Sequence, residues 1–229
     1  MVRAVPAPGF VVTPPPELMI RVSRNEDPVA YEQTGKRLAG ILLAAVTEYA
    51  QRPVRDLLDW GCGPGRIAAP LVVAGLSLYG CDVDAEAVAW AGEHLRGDFT
   101  VTGLQYELPY QDCSFDAIVA MSVFTHLTRR RQRLWLRELA RVLRPGGVLA
   151  ASVHGQAVAD AYGKEMAPIQ DHFLNFDLAG VVPDGYYVNV LQSQAYTREA
   201  WSDHFDVVAW EEAALDLHDL VVCIRKENP

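Results

Sequence analysis

The stretch Leu57-Leu58-Asp59-Trp60-Gly61-Cys62-Gly63-Pro64-Gly65-Arg66 reads as an apolar strand running into a glycine-rich turn, with a helix beginning near Arg66. Glycine has no Cβ, so the backbone can turn sharply and a ligand can lie directly against it. Doubly wound α/β sheets bind their ligands at such a turn, beyond the carboxyl end of the first strand. The spacing narrows the choice of ligand. A dinucleotide fingerprint GxGxxG requires glycine at position 66, where this chain has Arg66. The pattern is instead GxGxG with an acid, Asp59, two residues ahead of it. A carboxylate there repels a pyrophosphate and suits the ammonium of an amino acid moiety.

Outward from this turn the chain alternates. Short apolar runs at 55–60, 77–82, 98–102, 115–121 and 147–153 are separated by segments of helical spacing. Repeated βαβ units with right-handed crossovers, and hence a mostly parallel sheet, are the architecture this predicts. A first helix is expected from Pro28 through Leu38, Ile41, Leu42, Ala45 and Val46. The helix before the fifth run should be capped by Thr128, carry Leu134, Leu139, Val142 and Leu143, and stop at Pro145-Gly146-Gly147. Arg129, Arg130, Arg131 and Arg133 crowd its start. They read as a solvated face, with an anionic partner as the sharper alternative; cations at a helix N-terminus oppose the dipole, so the run does not serve helix stability. Farther on, Thr197 is placed as a helix cap. The runs Phe205–Trp210 and Leu220–Arg225 are joined by too short a connection for a crossover helix, so they should pair antiparallel at one edge.

The second run ends Leu78-Tyr79-Gly80-Cys81-Asp82. A carboxylate at that tip accepts two hydrogen bonds in a fork and matches the vicinal hydroxyls of a ribose. Asp82 is the expected ribose ligand, facing a ligand crevice, and Asp84 the expected cap of a helix over 85–95.

Leu58-Asp59-Trp60-Gly61-Cys62-Gly63-Pro64-Gly65 resembles the first motif of class I S-adenosylmethionine-dependent methyltransferases, and three later blocks agree with it. Gly80-Cys81-Asp82 is similar to their second-strand acid block. Leu108-Pro109-Tyr110 through Ser114-Phe115-Asp116 is similar to the stretch leading into strand four, and Leu143-Arg144-Pro145-Gly146-Gly147 to the block before strand five. The resemblance implies a doubly wound seven-stranded sheet in the order 3-2-1-4-5-7-6 with the last strand antiparallel. It implies S-adenosylmethionine as cofactor, yielding S-adenosylhomocysteine. Asp59, Gly61, Cys62 and Gly63 would surround the methionine part, Asp82 and Val83 the ribose, Leu104 and Gln105 the adenine, and Met121 with Ser122 the cofactor from the end of strand four. Where many relatives place an acid for the adenine amino group, this chain has Leu104 or Gln105. Tyr31 corresponds either to a lid over the methionine end or to core.

Composition limits the class. The chain has 229 residues, half of them hydrophobic, enough for one substantial core and short for two. Residues 1–27, proline-rich and aperiodic up to 16, form an arm able to act as a lid, and 28–229 a single domain. The stretch at about 155–195, with Tyr162, Phe173, Phe176, Tyr186 and Tyr187, reads as an insertion covering the substrate. A formal charge of −9 disfavours nucleic acid as partner. Cys62, Cys81, Cys113 and Cys223 lack zinc-site spacing, and no metal is expected. No signal-peptide or membrane-spanning run is evident, so a cytoplasmic protein without membrane partners is expected.

Methyl transfer from a sulfonium depends chiefly on alignment of the acceptor. A hydroxyl acceptor also needs a base, and His126 after the fourth strand and His154 after the fifth are the candidates. The expected activity is methylation of a small molecule by in-line displacement. The alternative is a noncatalytic subunit or sensor that binds the same cofactor.

Overall fold

The computed structural model describes residues 13–72, 75–171 and 181–227. Residues 1–12 of the proline-rich arm, and Phe173 and Phe176 of the expected insertion, lie outside the described residues. The helices are α1 (Pro16–Ser23), α2 (Pro28–Tyr49), α3 (Ala68–Leu71), α4 (Ala85–His94), α5 (Arg129–Val142), α6 (Gln156–Ala161) and α7 (Gln194–Ala200). The strands are β1 (Asp56–Trp60), β2 (Ser77–Asp82), β3 (Asp98–Val101), β4 (Phe115–Ala120), β5 (Leu143–Val153), β6 (Ile169–Asp171), β7 (Val190–Gln192), β8 (Phe205–Leu215) and β9 (His218–Arg225).

Seven strands form one sheet in the order β3-β2-β1-β4-β5-β9-β8, while β6 and β7 form a separate antiparallel ribbon. Counting only the strands of the large sheet, this is the expected 3-2-1-4-5-7-6. The first five are parallel, and β9 runs antiparallel to both β5 and β8.

Successive strand residues point to opposite faces, and this parity divides the core. Leu58, Trp60, Ile118, Ala120, Leu149 and Ala151 meet the buried Trp135, Leu136 and Leu139 of α5 on one face. Leu57, Ala117, Val119, Val148 and Ala150 meet Leu38, Leu42 and Val46 of α2 on the other. The central strands are buried on both faces, which is why they read as continuous apolar runs.

Several local expectations are corrected. The arm carries α1, whose first residue is Pro16; proline suits a first helical turn, where its missing N–H costs nothing. The helix after the glycine turn is the four-residue α3, starting at Ala68 rather than near Arg66. Helix α5 ends at Val142 and β5 begins at Leu143, because Phe115 pairs with Leu143 and draws the block Leu143–Gly147 into the sheet with an irregular register. Thr128 stands at the cap position of α5 without a side-chain capping bond. Helix α7 is capped by Ser193, which accepts from the Tyr196 N–H. Thr197 lies inside that helix. Its hydroxyl donates to the Ser193 carbonyl at 2.9 Å and accepts from Gln192 at 2.8 Å, and the Gln192 amide oxygen in turn accepts from Gln132 at 2.6 Å. This buried chain ties the ribbon to α5 and α7.

Candidate active site

The glycine turn is bound to the second strand before it meets any ligand. The N–H groups of Gly61 and Cys62 both donate to the Cys81 carbonyl, at 2.8 and 3.1 Å. Gly61 has φ +78°, and a Cβ there would lie 2.4 Å from Val123 Cγ2. Gly63 has φ +50°, and a Cβ would lie 2.8 Å from Val22 Cγ1 of α1. Side chains are thus excluded from this turn by both conformation and space.

Asp82 braces the same turn. Its Oδ2 accepts from the Gly63 N–H at 2.7 Å and its Oδ1 from the Asp84 N–H at 2.9 Å. Burial raises the Asp82 pKa, and these two N–H groups work against that rise. Each oxygen keeps a further lone pair, so the carboxylate is fixed with its fork still usable. Asp84 caps α4 as expected, accepting from Glu86 and Ala87, and also pairs with Arg21 of α1 at 2.8 Å.

Beyond the carboxyl ends of β1, β2, β4 and β5 lies a cavity of about 450 Å³, within the range of small-molecule sites. One end is walled by Gly61, Cys62, Gly63, Asp82, Val83 and Leu104, with Met121 and Ser122 beside them. Ser122 has φ +58°, and its N–H donates to the buried Ser152 hydroxyl at 2.7 Å. A nonglycine residue held in the left-handed region needs such support. The other end is walled by His126, His154, Tyr162, Tyr186, Tyr187 and Asn189. Val22 and Arg24 at the end of α1 cover part of the opening.

Three residues of the expected site stand elsewhere. Asp59 is 1% exposed and does not line the cavity, since its parity directs it to the face covered by α2 and α3, where it accepts from the Ala68 N–H. Its Oδ2 has no partner among the described residues. Burial first, then the nearby Asp82 charge, pushes its pKa up to about 8. Gln105 is exposed, leaving Leu104 and Thr102 as the wall at that end. Tyr31 lies within the first turn of α2 and is buried against a separate cleft behind the glycine turn, near Arg66.

The two expected histidines do meet in the cavity, with ring centroids 5.9 Å apart. His126 Nδ1 lies 3.1 Å from the Val188 carbonyl and His154 Nδ1 3.2 Å from the Val190 carbonyl. A carbonyl only accepts, so both Nδ1 atoms carry the proton and both Nε2 atoms the lone pair. Burial lowers the His126 pKa to about 3 and the His154 pKa to about 2, keeping both rings neutral. His154 Nε2 is 3.2 Å from His218 Nε2, so His218 must be the donor. Tyr187 stacks on His126 at 4.0 Å.

Sequence reasoning missed His218, which the β5–β9 register delivers: Val153 pairs with Asp219, setting His154 opposite His218. It also missed Asn189, Arg66 and the end of α1, none of which carries a local signal. Arg131 of the arginine run has a definite task. It donates to the Gly185 and Tyr186 carbonyls at 3.1 and 2.7 Å and stacks on the Tyr186 ring at 4.2 Å, holding the covering segment in place. Among the described residues no group of three His, Cys, Asp or Glu side chains is arranged to hold a metal, and no helix is long and apolar enough to cross a membrane.

Residues 58–151 match the family model described as a methyltransferase domain. Over that stretch, which holds β1 through most of β5, the chain is similar to a methyltransferase domain. The methyltransferase GfsG of Streptomyces halstedii is 35% identical over 131 residues, covering 54% of this chain and 45% of that protein. The chain spans between 45 and 63% of the length of the first curated relatives it matches. The methyltransferase fold is shared with Burkholderia thailandensis 1,6-didemethyltoxoflavin-N1-methyltransferase, solved with its substrate and S-adenosylhomocysteine: TM-score 0.63, 20% identity, 95% of this chain and 92% of that one. It is shared as well with the [4+2]-cyclase SpnF, TM-score 0.59, 18% identity, 83% and 80% covered. The residues at the glycine-and-aspartate end of the cavity fit S-adenosylmethionine. The Gly61–Gly63 cradle has no room for a Cβ, the Asp82 fork is fixed, and the wall at Val83 and Leu104 is apolar enough for the face of an adenine.

Proposed function

We propose that this chain transfers a methyl group from S-adenosylmethionine to a small-molecule acceptor by direct in-line displacement. The observation that carries this reading is the two-ended cavity: a glycine-and-aspartate end suited to the cofactor opens onto an end lined by neutral histidines and tyrosines. When bound, the cofactor supplies an activated methyl on a sulfonium with a neutral leaving group. The protein's part is positioning, which can supply much of such a rate enhancement. Gly61, Gly63 and Asp82 fix the cofactor end. Tyr186, Tyr187, Val158 and Val182 wall the acceptor end and exclude water. The cavity of about 450 Å³ must hold both molecules, which favours a small acceptor. The structurally similar Burkholderia protein, solved with 1,6-didemethyltoxoflavin bound, supports that size class.

Where the acceptor atom carries a hydrogen, we assign its uptake to His126. The Val188 carbonyl keeps the His126 proton on Nδ1, which makes Nε2 its basic nitrogen, and the ring lines the acceptor end of the cavity. Calorimetry with S-adenosylhomocysteine and NADH tests the cofactor assignment: micromolar-range binding of the first and none of the second is expected, and the reverse refutes it. Incubating labelled cofactor with a panel of phenols, amines and hydroxylated heterocycles tests turnover. Binding without transfer to any of them favours the noncatalytic reading.

A further inference from the structure

Four arginines of α5 remain without a task in the methyltransferase site. Arg129, Arg130, Arg133 and Arg137 line a second concavity of about 450 Å³, on the outer side of α5 beside Asp203 and His204, floored by Leu134, Leu136 and Ala200. At 3.6 residues per turn these four positions fall within one quarter or so of the helix circumference. They form three like-charge neighbour pairs at i,i+3 or i,i+4 spacing: 129 with 133, 130 with 133, and 133 with 137. Each such pair destabilises a helix, and cations in the first turn also oppose its dipole.

Little offsets this repulsion. Arg133 approaches Asp203 only to 4.0 Å, with both side chains about two-thirds exposed, and Arg129 lies over the Tyr196 ring at 5.3 Å. Arg130 and Arg137 make no ion pair or hydrogen bond among the described residues. Several guanidiniums elsewhere are paired with carboxylates: Arg21 with Asp84 and Glu86, Arg141 with Glu138 and Asp112, Arg144 with Asp56 and Asp116. In a chain with 29 acidic and 20 basic residues, carboxylates are not scarce. A self-repelling guanidinium face around a concavity therefore points to a missing anion, and guanidinium forks match phosphate oxygens two at a time.

We propose that this groove is a binding site for a pyrophosphate group, free or carried by a nucleotide, held by Arg130, Arg133 and Arg137 with Arg129 at its rim. The site is separate from the methyltransferase cavity and independent of the acceptor's identity. Four guanidiniums suit the several negative charges of a pyrophosphate, and the Leu134–Ala200 floor offers an apolar surface for an attached ring. A bound anion beside His204 would stabilise its imidazolium. Burial now lowers the His204 pKa, as do the nearby Arg137, Arg225 and Lys226 charges, against the single opposing influence of Asp203.

The test is calorimetry at about physiological salt, where Debye screening is near 8 Å, with inorganic pyrophosphate in one arm and ADP in the other, on the full chain and on Arg130→Gln/Arg137→Gln. One-site binding is expected, weakened by about tenfold or more in the double variant, which loses two charge-assisted contacts. Tighter binding of ADP than of pyrophosphate assigns the group to a nucleotide; equal binding assigns it to the free anion. The His204 ring resonances should titrate at higher pH when the anion is present. The double variant's affinity for S-adenosylhomocysteine should be unchanged, which separates this site from the cofactor cavity. Failure of both ligands to bind, equal binding by the double variant, or binding only by an acidic protein or nucleic acid would overturn the proposal.

Discussion

Replacing Asp82 with alanine removes two things at once, and their sizes can be worked from the structure. The carboxylate holds the Gly63 N–H at 2.7 Å and the Asp84 N–H at 2.9 Å, so truncation strands two backbone donors. A hydrogen bond to a charged group contributes about 1.5–3 kcal/mol. Both donors border the cavity and can rehydrate, and loss of the Asp82 charge also relieves its repulsion of Asp59. The net cost to folding is therefore at the low end, about 1–3 kcal/mol, which for a chain of this size lowers the melting temperature by about 2–12 °C. With Asp82 as the proposed ribose ligand, the cofactor would also lose a fork on its ribose hydroxyls. One charged hydrogen bond of about 1.5–3 kcal/mol corresponds to about 10- to 150-fold weaker binding of S-adenosylhomocysteine, with any loosening of the glycine turn adding to it. The sequence alone suggests a side chain that merely faces a crevice, whose removal leaves folding intact; the two backbone bonds revise that expectation. Thermal melts and calorimetric titration on the same preparation decide the matter. A variant that melts like the parent refutes the bracing role, and one that binds the nucleoside with unchanged affinity refutes the cofactor register.

Asp84→Ala should cost about 0.5–2 kcal/mol as a lost cap of α4 and, by breaking the pair with Arg21, should speed proteolysis at α1; cleavage at the parent's rate would show that the ion pair does not hold α1 down. Asp59 has a folded-state pKa of about 8 against 3.8 unfolded, so the folded state binds the extra proton and stability declines as pH rises from about 4 to about 8. Asp59→Asn should accordingly raise the melting temperature more at pH 8 than at pH 5, and an equal gain at both would contradict the assigned burial. The neutral histidines act in the opposite sense: with folded values of about 3 for His126 and about 2 for His154, their contribution is full above about pH 6.5 and is lost progressively as pH falls below it. Melting temperature should fall from pH 6.5 to pH 4, and His154→Gln should flatten that fall. Once an acceptor is found, His126→Gln should reduce kcat without altering affinity for S-adenosylhomocysteine, whereas retention of full kcat would remove His126 from the role of base.

The glycine turn and the strand runs were legible in the sequence because their causes are local, whereas the full strand order came only through the family resemblance. Parity within a strand, the space a glycine leaves and the shortness of the link between β8 and β9 are all properties of neighbouring residues. The same locality made Asp82 and the Asp84 cap readable, each at the end of its own run. What lay beyond reach depended on residues far apart in the chain. Asp59 sits at the right place in the motif, yet which sheet face it meets, and hence its burial under α3 rather than on the cavity wall, is fixed only when α2 and α3 pack there. His218 reaches His154 through a register between β5 and β9 that no local pattern specifies, since both strands are apolar on successive residues and tolerate several alignments. Helix α1 is short and opens on the last of three consecutive prolines; its pairing of Arg21 with Asp84, and the room that Gly63 leaves for Val22, place it over the site. Composition and periodicity record which residues want to be buried; which of them then meet around the cavity is decided by long-range packing.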